Sequence, residues 1–238
     1  MSVDLVIPLA IFVVVGVVVA VGVFLVVRSR TGAAVALSLR TVLLGYFYLM
    51  ALVSFLFLAV GLTSLLNAGL GEAFGRSFSF FVPGENMPLA PLRGPASTPM
   101  SPDEIREQER RRVEQEFRDG LVHGATATVL GAVLWPLHAW GRRRLSGAED
   151  SLNAFLDRVF LVIPLVLFSL IGLISLVMAI FQLASFLIVP ARGAAFQTPP
   201  GAAIATAVVF VPLWVYYLRR ASRQGERPAA SEGLLKAA

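Results

Sequence analysis

Residues Gly120–Leu145 read GLVHGATATVLGAVLWPLHAWGRRRL, and this stretch decides the fold. Its first half is built of small residues, its second half of large and aromatic ones, and it stops at Arg142, Arg143 and Arg144. From Leu121 to Trp140 no side chain carries a formal charge. About 20 helical residues at ~1.5 Å each cross a bilayer core of ~30 Å. Trp135 and Trp140 fall where aromatic rings favour the lipid–water boundary, and the three arginines place that end on the cytoplasmic side.

Composition agrees with this reading. Hydrophobic residues make up 57% of the chain and charged residues 15%. The apolar residues form long unbroken runs, which membrane spans need and soluble cores do not. The expected fold class is all-α, a multi-pass helical membrane protein with about five spans and a protruding charged helix on the outer side. Lys236 is the lone lysine, and most arginines flank apolar runs. Membrane orientation therefore accounts for the basic charge, and no nucleic-acid partner is expected. The absence of cysteine excludes disulfides, thiolate nucleophiles and cysteine-held metals.

Along the chain, Val3–Val27 is the first span, followed by Arg28, Arg30 and Arg40. Only Asp4 precedes it, so residues 1–29 read as an uncleaved anchor with the N-terminus outside. Gly16 and Ala20 offer a small-xxx-small packing face. Thr41–Leu66 is the second span, with Tyr46 and Tyr48 near its cytoplasmic end. Gly69–Met100 has no sustained helical period and is expected to be a long outer loop. Its Phe74, Phe78, Phe80 and Phe81 would enter the outer interface or pack on a partner. Ser101, Pro102 and Glu104 supply an N-cap, a first-turn proline and a capping-box acid for a charged helix over 101–119. In that helix Glu107–Arg111 and Glu114–Arg118 have favourable i,i+4 spacing, and a break is expected at Gly120. The fourth run, Val159–Val189, exceeds one upright span and calls for tilt or a kink near Pro164. Ala202–Leu218 is the fifth span, ending at Arg219 and Arg220. Residues 221–238 read as a disordered cytoplasmic tail.

The chain also repeats itself. Trp135-Pro-Leu-His-Ala-Trp140 superposes on Val211-Pro-Leu-Trp-Val-Tyr216, with Pro136 on Pro212 and Arg143–Arg144 on Arg219–Arg220. Arg40 before the second span matches Arg158 before the fourth. Two helix-pair units result, over 40–145 and 155–220, running in the same direction through the membrane. Gly45–Leu49 (GYFYL), followed by the Pro-Leu-His-x-Trp helix end at Pro136–Trp140, resembles the bacterial membrane domain-of-unknown-function family 5671. The resemblance covers Arg40 to Arg220 if the paired-helix unit occurs twice, although the second copy lacks the tyrosines and has Trp214 in place of His138. It implies an architecture in a bacterial inner (plasma) membrane and no assigned activity.

Ionisable groups at mid-membrane mark pumps and ion paths, and the spans carry none there. His138 is the single ionisable side chain deep in an apolar run, about one turn from the arginines. Interfacial hydrogen bonding and an axial-ligand role in a cofactor- or pigment-holding subunit are both open to it. No cofactor is expected, and no phosphate-binding, metalloprotease or serine-hydrolase motif occurs. Pro136 and Pro212 each remove a helix hydrogen bond near the inner surface. The expectation is a non-enzymatic structural or accessory subunit that contacts lipid and associates with other membrane subunits or with itself. The alternative is a small oligomeric transporter or channel made of two parallel helix pairs.

Overall fold

The structure, a computed structural model, describes the backbone of residues 39–81, 102–145, 151–188 and 198–236. The expected first span, with Gly16, Ala20, Arg28 and Arg30, and the N-cap residue Ser101 lie outside these residues. The elements are α1 (Leu39–Ala73), the single turn α2 (Arg76–Ser79), α3 (Pro102–Leu145), α4 (Ser151–Ile188) and α5 (Gly201–Lys236). Four helices are long and apolar enough to cross a membrane, over Val42–Ala73, Asp103–Leu145, Arg158–Ile188 and Gly201–Arg223. The chain is an all-α, multi-pass integral membrane protein, and its outward apolar side chains contact the bilayer.

Backbone chemistry explains why these runs are helices. A bilayer offers no hydrogen bonds, so each spanning segment must satisfy its own N–H and C=O groups. The hydroxyls in the spans follow the same rule. Ser54 donates to Met50 O at 2.7 Å, Thr63 to Ala59 O at 2.9 Å, Ser175 to Gly172 O at 3.0 Å and Thr206 to Ala202 O at 2.7 Å. Each of these four hydroxyls closes on its own helix, whereas Thr128 Oγ1, buried in α3, has no hydrogen-bond partner.

α1 and α3 form an antiparallel hairpin with a very close approach. A Cβ built on Gly61 would lie 2.5 Å from Thr128 N, and one on Gly124 would lie 3.1 Å from Leu65 N. Cβ atoms on Gly131 and Gly141 would strike Leu58 and Phe47. Residues 47, 58, 61 and 65 thus face 141, 131, 128 and 124 in one continuous register. α4 and α5 form a second antiparallel hairpin, where Gly172 faces Phe210 at ordinary contact distance, 3.5 Å. α1 joins the hairpins by packing along α5, so the order across the molecule is α3, α1, α5, α4. Fully buried Phe168 centres the join, with Ala59 and Phe210 beside it. α4 reaches α1 where Phe160 stacks on Tyr48 at 4.5 Å between ring centroids, and where Phe168 meets Phe55 at 5.8 Å.

Several expectations are corrected. α1 continues seven residues past Leu66, because Ala68 is buried and Gly71 packs against Ser79 and Phe80. Gly69–Ala73 is therefore helix, not loop. Gly75, at φ 97°, then turns the chain into α2. Phe80 is buried against Phe117 of α3, ring centroids 6.1 Å apart, and Phe78 meets Phe186 edge-on at 5.6 Å. These two rings pack within the chain, whereas Phe74 and Phe81 stay exposed. No break occurs at Gly120. α3 runs unbroken for 44 residues, about 66 Å at helical rise, and one glycine at ~1 kcal/mol does not interrupt a helix packed on both sides of it. α4 begins at Ser151, ahead of Val159, and α5 keeps helical backbone to Lys236, beyond the span's end at Arg220 and through most of the tail expected to be disordered.

Candidate functional site

At the end where α3 stops and α1 starts, the sequence-derived residues gather. Arg40 reaches across to the last residue of α3, its Nε and Nη2 donating to Leu145 O at 3.2 and 2.7 Å. A cation there satisfies an orphan carbonyl and opposes the negative end of the helix dipole. Arg142 lies 4.9 Å over the Tyr48 ring, and Arg144 lies 4.5 Å over Trp140. Both are cation–π contacts. Arg143 and Arg219 are exposed.

His138 is 7% exposed. Its Nδ1 contacts Leu134 O at 2.7 Å. A carbonyl can only accept, so Nδ1 donates in this bond. The rings of Tyr46 and Phe47 flank the imidazole at 6.1 and 6.2 Å. His123 bonds back to Asp119 O in the same way at 2.8 Å. It sits about 22 Å from His138 along the same helix, too far to share a ligand.

The expected interfacial residues separate into two groups. Trp140, Tyr46 and Trp135 are exposed, 56%, 49% and 42%. Pro136 and Pro212 face outward. Tyr48, 4% exposed, is a packing residue sandwiched between Phe160 and Arg142. Trp214 packs partly buried against the Ala59–Phe168–Phe210 cluster, and Trp135 touches Phe55 at 5.7 Å.

The opposite end carries a second polar cluster that sequence reasoning missed. Arg76 of α2 lies 3.4 Å over the Phe117 ring and pairs with Glu72 at 2.9 Å and Glu114 at 3.9 Å. Ser79 Oγ and Asn67 Oδ1 crowd the start of α5, where a Cβ on Gly201 would collide with them. Both atoms are buried without a hydrogen-bond partner. The sequence signal for this cluster is weak, since it joins residues from three helices and a turn expected to be loop. On the stalk the expected Glu107–Arg111 and Glu114–Arg118 pairs form at 3.1 and 2.9 Å.

No protein-family model, curated protein or solved structure matches the chain.

Proposed function

We propose that the protein is a non-enzymatic structural or accessory subunit that packs against partner transmembrane helices. One observation carries the reading. The helices at the two ends of the row, α3 and α4, each present an apolar stripe along their length. On α4 it includes Val162, Val166, Leu170, Ile174, Val177 and Phe181, exposed by 51–66%. On α3 it includes Val122, Val129, Val133 and Leu137, exposed by 54–63%. Helix association in lipid relies on van der Waals fit along such faces. The stalk at 102–119 would give the assembly a charged arm on the outer side, with the arginine end toward the cytoplasm. Gly45–Leu49 and Pro136–Trp140, the stretches that resemble the paired-helix family, meet in this fold through Tyr46, Phe47 and His138, which supports reading the hairpin as such a unit.

A small transporter or channel is the second reading, and the helix register favours it. Both hairpins run in the same sense. The superposition of Arg40 on Arg158 and Pro136 on Pro212 carries Gly172 and Phe210 back onto Ser54 and Leu134. That pair continues the register of 47, 58, 61 and 65 against 141, 131, 128 and 124. Against it stand the hydroxyls of Ser54, Thr63, Ser175 and Thr206, which close on their own helices rather than line a path.

Mild solubilisation of native membranes, capture through a C-terminal tag and mass spectrometry separate the two. Stoichiometric, reproducible partners support the accessory subunit. A homogeneous self-assembly without partners would put the transporter first.

A further inference from the structure

The helices at the two ends of the row present different outward faces. On α3 the residues turned away from α1 are Val122, Thr126, Val129 and Val133, all exposed, with exposed Ala125 and Ala132 along one side. On α4 the corresponding residues are Val166, Leu170, Leu173, Val177 and Phe181, exposed by 45–66%. Long side chains hold a neighbouring helix away. A face of valine, threonine and alanine lets a second backbone come close, and packing at close approach drives helix association in a bilayer. The inward side of α3 already works in this way, where Gly124 and Gly131 meet α1.

The chain carries an apolar segment tethered beside that face. Leu5–Val27 is uncharged and valine-rich, and Arg28 ends it. As a helix it would be ~34 Å long, enough for one span. Residues 28–38 connect it to Leu39, the first residue of α1. That junction adjoins α3, since Arg40 donates to the Leu145 carbonyl. The connection of about 11 residues reaches ~17–20 Å as a flexible chain and ~36–40 Å at full extension. At ~8–10 Å per helix spacing, the outward side of α3 lies about two spacings from α1, so the connection need not stretch. Direction agrees as well. The apolar segment and α3 both finish at arginines, Arg28 and Arg142, on the side where α1 begins.

We propose that residues 5–27 pack as a helix on the outward face of α3, parallel to it, with Gly16 and Ala20 at the contact. Levelling Val27 with Trp140, the last large apolar residue of each run, sets Gly16 at the height of Val129 and Ala20 at the height of Val133. Each small residue then receives a valine. The accessory-subunit reading keeps α4 as its face for a partner, and the packing of residues 5–27 holds whether or not that reading does.

The test places a benzophenone side chain at Val129 or at Val133 of the full chain, 61% and 60% exposed, and irradiates native membranes. Two positions keep the test alive if one variant fails to fold. Trypsin cuts after Arg28, and mass spectrometry of the monomer band reads whether the adduct carries the peptide that ends there. Both positions are expected to give that intramolecular adduct, and Val166 on α4 is expected to give none. Gly16→Leu keeps the segment apolar and is expected to lower the Val129 yield roughly fivefold or more, as overpacking a close contact should. Val18→Leu, turned to the other side of such a helix, is expected to leave the yield unchanged. Equal losses from the two leucine variants would overturn the proposed contact face. Adducts from Val129 and Val133 confined to lipid, to a second copy in a dimer band, or to a different polypeptide would overturn the packing itself. The last of these would still support the accessory-subunit reading, so the two failures are distinguishable.

Discussion

The α1–α3 hairpin closes on glycine, whereas the α4–α5 hairpin closes on phenylalanine. In the first, Gly61, Gly124 and Gly131 let side-chain-free surface meet the opposing helix, so that backbone nearly touches backbone, and Gly141 makes room for the Phe47 ring. In the second, Gly172 makes only ordinary contact, and Phe168 and Phe210 fill the space, their centroids 5.8 Å apart. Lipid tails are as apolar as leucine, so neither hairpin gains from expelling water. The first gains dispersion from close approach over a long register. The second gains it from large buried rings. The difference predicts opposite sensitivities: hairpin one should be intolerant of added volume, and hairpin two of removed volume.

The largest effect is expected for Gly131→Leu, which drives a side chain into the Leu58 backbone. Overpacking costs ~1–3 kcal/mol where neighbours can move, and a backbone cannot, so loss of about 3 kcal/mol or more is expected by reversible unfolding in mixed micelles. Phe168→Ala comes next. An aromatic deletion in an aqueous core costs ~3–5 kcal/mol, and because lipid replaces water here, roughly 2–3 kcal/mol is expected in the same assay. Arg40→Gln should cost about 1 kcal/mol by exposing the Leu145 carbonyl, seen as faster amide exchange confined to the last turn of α3. Gly172→Ala should be neutral or stabilising by up to ~1 kcal/mol, since the methyl meets nothing closer than 3.5 Å and helix propensity improves. A large loss from Gly172→Ala would erase the distinction between the hairpins.

The four described spans, their order and the stalk ion pairs were legible in the sequence because each rests on local patterns: run length, i,i+4 spacing and flanking charge. The arginines were legible as a group for the same reason. Tyr48 and Trp214 were not separable from exposed aromatics such as Trp140, because their burial is decided by Phe160 and Phe168 on another helix. The glycine register was half visible. Gly124 and Gly131 stand seven apart and share a face, but their partners at Leu65 and Leu58 look like any lipid-facing leucine. Gly69–Ala73 looked like loop because its two glycines lower helix propensity, and the contacts that hold it as helix come from Ser79 and Phe80.

Photo-crosslinking from α4 tests the central claim most directly. A benzophenone side chain placed at Val177, 65% exposed, would be compared with one at Leu161, 7% exposed against the chain's own helices. The accessory-subunit reading predicts that Val177 crosslinks in native membranes to a discrete, different polypeptide, while Leu161 gives only intramolecular adducts. Crosslinks from Val177 to lipid alone, or to a second copy of this chain alone, would contradict it.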